Sequence, residues 1–353
     1  MRKIWRSMIA VAVIGLAGFL LYRTLSGYNF DQLVQAVMAV PVSNLLGAVG
    51  FAAASYLCLT GFDYLALHYV GNPLAYRKAA LASFTALSLG HNIGFAALSS
   101  GAVRYRFYSR WGLGAGQVAK LIVFCGITVG LGLMVLGGTA LLFRSGLAQE
   151  ITGLTRPVIL TLGSLCLALP ALYLLMAAFV NRPLRIRRWT LEPPPLRLAI
   201  GQVVIGSFNF AFVAACLHQT LAAVADVPYG GVASVYVIAN ATALVSHVPG
   251  GLGVIESVVM YLLPQQDLIG PLLVFRFVYF LFPLVLGSLL LLTSELVYRG
   301  ERPSSPGSGR RRREGVNYLR WSRRRNQNGS KGSCGSRRRV PKAGCVGPSS
   351  DMA

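Results

Sequence analysis

Four charged residues lie in stretches that are otherwise apolar, and they are Asp63, Arg104, Glu256 and Arg276. A carboxylate can bind an ammonium group, and a guanidinium can hold a phosphate through two parallel hydrogen bonds. These residues therefore predict a polar substrate site within an apolar protein. Two alternatives stay open, because Glu256 and Arg276 would also form a structural ion pair, and Arg104 also fits a basic residue at a membrane surface.

Helix-breaking residues precede the second of these carboxylates in the segment ALVSHVPGGLGVIESVVM, which contains Pro249, Gly250, Gly251 and Gly253. Backbone that is not helical is tolerated at membrane depth only where protein or water satisfies its polar groups. The segment therefore predicts a re-entrant hairpin over residues 232–262, in which the proline and glycines let the chain turn back.

A second apolar segment, ALSLGHNIGF, shares the order Ala-Leu, serine, histidine and helix-breaking glycine, here Gly94. It predicts another re-entrant hairpin over residues 79–103. Two broken segments in corresponding places of two halves are typical of inverted-repeat transporters with a binding site at mid-membrane. We therefore expect the two hairpins to meet there. Chance similarity between segments rich in glycine, alanine and leucine is the alternative.

The whole chain has the composition of a membrane protein. Of its 353 residues, 54% are hydrophobic and 12% are charged, and the mean hydropathy is +0.59. Soluble domains usually contain about 25% charged residues. Five apolar runs are long enough to cross a bilayer, at 42–70, 118–143, 158–180, 196–217 and 272–294. The predicted fold class is an all-α polytopic membrane protein with about six to eight transmembrane helices and two re-entrant hairpins in an inverted repeat.

The distribution of basic residues predicts the topology, since cytoplasmic loops are enriched in lysine and arginine. The N-terminal segment MRKIWRSMIAVAVIGLAGFLLYR fits a retained signal anchor, and the loop NRPLRIRRWTLEPPP carries four arginines. We expect both termini in the cytoplasm. The hairpin at 79–103 would then enter the membrane from the cytoplasm, and the hairpin at 232–262 from the outside.

The C-terminal segment 301–353 differs from the rest of the chain. It carries 14 Lys or Arg and three Asp or Glu, with almost no apolar periodicity. We therefore expect a disordered basic tail after a transmembrane domain at residues 1–300. The charge suits anionic lipid, and we expect no specific nucleic-acid partner. A tail translated out of the original reading frame is an alternative.

Residue patterns typical of enzymes are absent. The chain has no zinc-hydrolase, phosphate-loop or nucleophile-elbow motif, and its six cysteines show no paired spacing. We therefore expect no catalytic residue, no metal and no cofactor. The alternative is an intramembrane enzyme acting on a lipid-linked substrate, with Glu256 or His247 as a general base. His91 and His247 fit either core histidines or members of a proton relay.

Five segments, taken in order, resemble the membrane domain of the bifunctional lysylphosphatidylglycerol synthetase/flippases, also called multiple peptide resistance factors. They are YRTLSGYNF, GFDYLAL, SSGAVRYRFYSR, LVSHVPGGLGVIESVV and LLVFRFVYFLFP. The resemblance implies a bacterial inner-membrane protein that moves aminoacylated phosphatidylglycerol between leaflets. That activity would lower the negative surface charge and give resistance to cationic antimicrobial peptides.

The resemblance also suggests roles for the charged residues. The two arginines named above would hold the lipid phosphate, and the two carboxylates would meet the aminoacyl ammonium. His247 and Asn209 would be further substrate-binding residues, although Asn209 stands where some family members have a glutamate.

Members of this family normally continue into a soluble aminoacyl-transfer domain, for which the tail at 301–353 leaves no room. We therefore expect no aminoacyl transfer by this chain, and a truncated remnant without transport activity is a further alternative. The expected partners are the membrane and an anionic or aminoacylated phospholipid, and the sequence leaves a homo-oligomer open.

Overall fold

The fold is a bundle of α-helices. The computed structural model describes residues 30–93, 96–180, 184–186, 189–191, 193–246, 248–263 and 268–298. The helices are α1 (Phe30–Ala39), α2 (Val42–Tyr69), α3 (Tyr76–Ile93), α4 (Ala96–Arg110), α5 (Ala115–Phe143), α6 (Ser145–Thr152), α7 (Arg156–Phe179), α8 (Leu196–Leu221), α9 (Tyr229–Ser246), α10 (Val254–Leu262), α11 (Ile269–Arg276) and α12 (Phe282–Tyr298). The predicted signal anchor and the basic tail lie outside the described residues.

The described chain also contains two short helical turns that are not α-helical. A 3₁₀ turn at Pro249–Gly251 separates α9 from α10, and a π-helical turn at Phe277–Leu281 joins α11 to α12. The loop after α7 contains an antiparallel pair of three-residue strands, β1 (Leu184–Ile186) and β2 (Trp189–Leu191).

Among the described residues, six helices are long and apolar enough to cross a membrane, namely Val42–Tyr69, Ala115–Phe143, Arg156–Phe179, Leu196–Leu221, Tyr229–Ser246 and Ile269–Val297. The prediction of an all-α polytopic membrane protein is confirmed. Helices satisfy their backbone hydrogen bonds internally, which is what a bilayer demands. Five of the six contain or overlap the apolar runs predicted from the sequence, and the sixth, α9, is the first arm of the segment predicted as the hairpin 232–262.

The two segments predicted as hairpins each form a pair of packed helices. We call the pair α3–α4 hairpin one and the pair α9–α10 hairpin two; the helices of each pair contact each other. Hairpin one packs through α3 against α12, and hairpin two packs through α9 against α5. Between them, α2 lies along α8. Hairpin one also contacts α2, and hairpin two also contacts α8. The depth of the hairpins in a membrane stays a prediction.

Small residues allow α5 and α8 to cross in backbone contact. A Cβ atom placed on Gly132 would lie 2.4 Å from both the carbonyl carbon and the oxygen of Gly206. A polar group ties the same region together, since Gln202 Nε2 donates to Phe124 O at 3.1 Å and to Thr128 Oγ1 at 3.0 Å. Close approach at small residues with hydrogen bonds alongside is the usual way in which membrane helices associate.

We expect Gly132→Ala to destabilise the protein by about 1–3 kcal/mol or more, because the new methyl group has no space and the backbones must separate. The matched control is Gly130→Ala on the same helix, where a Cβ would meet nothing within 4 Å. The measurement is thermal unfolding of both purified variants in detergent. Equal melting temperatures for the two variants would contradict the close approach of α5 and α8.

Proline explains the π-helical turn in the last long helix. Pro283 has no N–H and therefore cannot bond to the carbonyl of Tyr279, four residues earlier. That carbonyl instead accepts a hydrogen bond from Tyr56 Oη of α2 at 3.2 Å, and the next carbonyl, of Phe280, accepts from Asn92 Nδ2 of α3 at 3.4 Å. The irregular turn is thus stabilised by side chains from two neighbouring helices.

Candidate functional site

The first part of the candidate site is an arginine that joins hairpin two to α11. Arg276 donates from Nε and Nη2 to the two carboxylate oxygens of Glu256, the second bond measuring 2.9 Å. Its Nη1 also donates to Gly250 O, and its Nη2 donates to Gly251 O at 2.6 Å. We call this set, Glu256, Arg276, Gly250 and Gly251, the hairpin-two clamp. One guanidinium therefore neutralises a carboxylate and satisfies two carbonyls of the broken helix.

Glycine is required in this turn because its backbone is left-handed. The φ angles of Gly250, Gly251 and Gly253 are 62°, 58° and 76°, a region that side-chain-bearing residues rarely adopt. This conformation leaves the carbonyls of Gly250 and Gly251 without helical partners, and they are the two that Arg276 binds. The sequence PGG thus both stops α9 and supplies acceptors for the buried arginine.

The tips of the two hairpins contact each other. A Cβ atom placed on Gly250 would lie 3.6 Å from His91 O and 3.7 Å from Asn92 Cα, at the end of α3. The 3₁₀ turn of hairpin two therefore rests on the C-terminal end of the first arm of hairpin one. This is the meeting that the paired sequence segments predicted, and Arg276 lies directly beside it.

The clamp is partly exposed on its acidic side. The side chain of Glu256 is 18% exposed, whereas that of Arg276 is 3% exposed. Next to the carboxylate on the same hairpin, Gly253, Ser257 and Tyr261 are all exposed. The carboxylate is therefore the more accessible partner of this ion pair.

The second part of the candidate site is a sealed cluster around Asp63 on α2. Its carboxylate accepts from Arg104 Nε at 3.0 and 3.1 Å, from Arg104 Nη2 at 2.7 Å and from Tyr108 Oη at 2.7 Å. Arg104 Nη1 donates to Ser100 Oγ at 2.9 Å. The exposed fractions of Asp63 and Arg104 are 0% and 3%. This cluster fastens hairpin one to α2 without access from outside.

Asn209 belongs to a third group, a polar layer between α2, α8 and the π-helical turn. Its Oδ1 accepts a hydrogen bond from Ser55 Oγ at 2.8 Å, and Ser55 Oγ is also 3.0 Å from Tyr279 Oη. Asn209 is buried. An amide suits this place because its oxygen accepts from a hydroxyl without carrying a charge, whereas a buried carboxylate would need a cation.

The predicted site residues therefore separate into distinct groups. Glu256 and Arg276 come together with two of the predicted glycines, Asp63 pairs with Arg104, and Asn209 stands apart. Gly253 precedes α10, and Pro249 begins the 3₁₀ turn. His247 and Gly94 lie outside the described residues.

Sequence reasoning missed a third ionic group. Glu295 on α12 accepts from Arg106 at 2.5 and 2.6 Å and from Arg110 at 2.6 Å. Glu295 was not recognised because it lies at the end of the last apolar run. A lone carboxylate in TSELVYRG was the available signal. The group joins the second arm of hairpin one to the last helix.

The chemistry that these groups can perform is charge recognition. Each arginine presents its planar donors to a carboxylate, which is the geometry that also binds phosphate. In the part of the chain that the structure describes, no three His, Cys, Asp or Glu side chains come together as metal ligands would.

The helices and the buried ion pairs define a polytopic α-helical membrane protein with two packed helical hairpins. The chain is 30% identical over 260 residues to the inner membrane protein YbhN of Escherichia coli, in an alignment that covers 71% of this chain and 80% of YbhN. The chain belongs to the family of YbhN. It is also 29% identical over 310 residues to the uncharacterized protein slr0712 of Synechocystis sp., covering 85% of this chain and 96% of that protein. No family model matches the chain.

Proposed function

We propose that this protein translocates aminoacylated phosphatidylglycerol, such as lysylphosphatidylglycerol, between the leaflets of the bacterial inner membrane. This activity would lower the negative surface charge and protect the cell against cationic antimicrobial peptides. The observation that carries the proposal is the hairpin-two clamp, a buried arginine and a partly exposed glutamate at the contact between two hairpin tips. Charged residues within membrane-spanning bundles are costly and mark substrate or ion pathways.

The headgroup of the proposed lipid matches the clamp in charge. Its phosphate is an anion and its aminoacyl group carries an ammonium, so it can exchange with both partners of the Glu256–Arg276 pair. In this exchange Glu256 takes the ammonium first, because its carboxylate is the exposed partner. Arg276 then offers its planar donors to the phosphate while its bonds to Gly250 and Gly251 hold it in place. Exchange of partners avoids leaving either charge buried and alone, which would be far more costly.

Asp63 and Arg104 take a later role in the proposal. They are sealed in the described conformation, so they can meet the headgroup only after hairpin one has moved away from α2. The cluster around Asp63 would then offer the same pair of charges, a guanidinium and a carboxylate, to the phosphate and the ammonium. The substrate would thus pass from one ion pair to the other.

The packing of the two halves supports alternating access. Hairpin one contacts α12, hairpin two contacts α5, and α2 lies along α8 between them. Contacts of each hairpin with a helix from the other part of the chain are what a site at the interface of two inverted halves requires. We propose that the halves rock about α2 and α8, and that both chain termini lie in the cytoplasm, as the arginine-rich loop after α7 suggests.

The proposal is tested by reconstitution of the purified chain into liposomes that contain fluorescent lysylphosphatidylglycerol. Reduction by dithionite from outside measures how much labelled lipid reaches the outer leaflet. We expect the labelled pool to become almost completely reducible, against about half in protein-free liposomes, because only one of two leaflets is then accessible. A reducible fraction that stays at the protein-free value would reject translocation.

A further inference from the structure

His91 stands at the contact between the hairpin tips with an unsatisfied ring nitrogen. It lies in the last turn of α3, and its backbone oxygen would lie 3.6 Å from a Cβ atom placed on Gly250 of hairpin two. Its Nδ1 is buried and has no hydrogen-bond partner among the described residues. Buried polar atoms are nearly always paired, so a lone nitrogen at this place calls for a physical reason.

Two other histidines show the ordinary arrangement. His68 Nδ1 lies 2.8 Å from Tyr64 O, and His218 Nε2 lies 3.1 Å from Val227 O. Both hydrogen bonds are to backbone carbonyls outside the hairpin contact. In each of these rings one nitrogen therefore has a backbone partner, whereas the buried Nδ1 of His91 has no hydrogen-bond partner among the described residues.

The groups that face His91 come from several elements. Tyr56 of α2 and Tyr279 of the π-helical turn have ring centroids 6.4 Å away. Arg104 of α4 acts on it as a nearby cation. Arg276 lies 4.8 Å from the centroid of the Phe280 ring, which is itself 6.5 Å from the imidazole. The carboxylates of the region, Asp63 and Glu256, are each bound to an arginine.

In these surroundings, the protonation of the His91 imidazole depends on whether an anion is bound nearby. Burial, and after it the positive charge of Arg104, disfavour a positively charged imidazole in the described conformation. A phosphodiester that arrives at the hairpin contact brings a negative charge, which favours the charged form. The phosphodiester stays ionised throughout, and the unpartnered Nδ1 is the atom that we expect to take a proton from water.

We propose that His91 is a proton-binding site that is coupled to an anionic headgroup at the hairpin contact, so that the lipid phosphate and the proton bind together. The inference rests on the proposed function in taking this contact as the headgroup site. By linkage, the proton and the headgroup must then strengthen each other's binding by the same factor. Translocation of the headgroup would carry the proton with it and would respond to a pH gradient.

The test measures how the affinity for phosphatidylglycerol depends on pH. The purified full chain in detergent is titrated with phosphatidylglycerol, with zwitterionic phosphatidylcholine or with inorganic phosphate, and the rise in melting temperature gives the apparent Kd. The titrations are made at about pH 5.5 and about pH 8, on either side of the ordinary histidine range. We expect phosphatidylglycerol to bind about five- to tenfold more tightly at the lower pH, because the protonated form, which prefers the anion, is lost as the pH rises.

The matched variants are His91→Gln, His68→Gln and His218→Gln. His91→Gln should bind phosphatidylglycerol equally at both pH values, while the other two variants should keep the dependence of the unaltered chain. The arginines of the basic tail stay charged at both pH values and contribute no difference. If inorganic phosphate shows the same increase in affinity at the lower pH as phosphatidylglycerol, the coupling is supported and its ligand is free phosphate instead of a lipid.

Two results would overturn the inference: a pH-independent affinity of the unaltered chain, or a pH dependence that persists in His91→Gln. These results are separate from the liposome assay. Coupled binding without translocation rejects only the proposed function, and translocation without coupling rejects only the role of His91.

Discussion

Glu256→Gln is expected to lower the rate of lysylphosphatidylglycerol translocation in liposomes about tenfold or more, because a hydrogen bond to a charged group contributes about 1.5–3 kcal/mol and the amide cannot bind the ammonium as a carboxylate does. The substitution keeps the size of the side chain. It also leaves Arg276 bound to the carbonyls of Gly250 and Gly251, so the hairpin turn should persist. The measurement is the rate at which the labelled lipid becomes reducible by external dithionite.

The matched control is Glu295→Gln. This glutamate is also bound to arginines, Arg106 and Arg110, but it lies on α12 away from the hairpin-two clamp. We expect its translocation rate to stay within about twofold of the unaltered chain, which is less than a single interaction of 1 kcal/mol would give. An equal loss in both variants would show that ion pairing in general, and not the headgroup site, limits translocation.

Arg276→Lys separates charge from geometry at the same site. Lysine keeps the positive charge but lacks the planar fork that reaches a carboxylate and two carbonyls together. We therefore expect a loss of translocation close to that of Glu256→Gln. If Arg276→Lys translocates the lipid at the normal rate, a simple cation is sufficient. The proposal that the planar guanidinium recognises the phosphate would then be wrong.

Asp63→Asn is expected to lower the free energy of unfolding by about 3–5 kcal/mol, because it leaves the buried guanidinium of Arg104 without a counter-charge. Asp63 is the common acceptor for Arg104, Tyr108 and the thiol of Cys125, which lies 3.5 Å away. The measurement is chemical unfolding of the purified variant in detergent. The control Asp226→Asn removes an exposed carboxylate and should change stability by no more than about 0.5 kcal/mol.

A double variant tests the cause of this loss. Asp63→Leu with Arg104→Met removes both charges together, and we expect it to recover much of the stability lost in Asp63→Asn, because apolar side chains often replace a buried ion pair without cost. A double variant that is less stable than Asp63→Asn would show that hydrogen bonds to Tyr108 and Ser100, and not the buried charge, dominate the cluster. Translocation by a stable double variant would reject the proposed exchange at this pair.

The composition and the apolar runs alone determined the class of fold. A run of about 20 apolar residues can satisfy its backbone in a bilayer only as a helix, so five membrane-length helices could be predicted to within a few residues of their ends. The residues PGG likewise determined a break, because two consecutive glycines after a proline favour a turn over a continued helix. The identity of Glu256 and Arg276 as residues that need a partner followed from the cost of buried charge.

The tertiary structure decided which charges meet. Asp63 and Arg104 are 41 positions apart, and Arg106 and Glu295 are 189 apart. Such pairs depend on the rotation of each helix about its axis and on the crossing of its neighbours. In a membrane all faces of a helix can be apolar, so hydrophobic periodicity carries little information about that rotation. The sequence alone therefore determined that buried charges must be paired, and only the packing of the helices decided that Asp63 is sealed while Glu256 stays accessible.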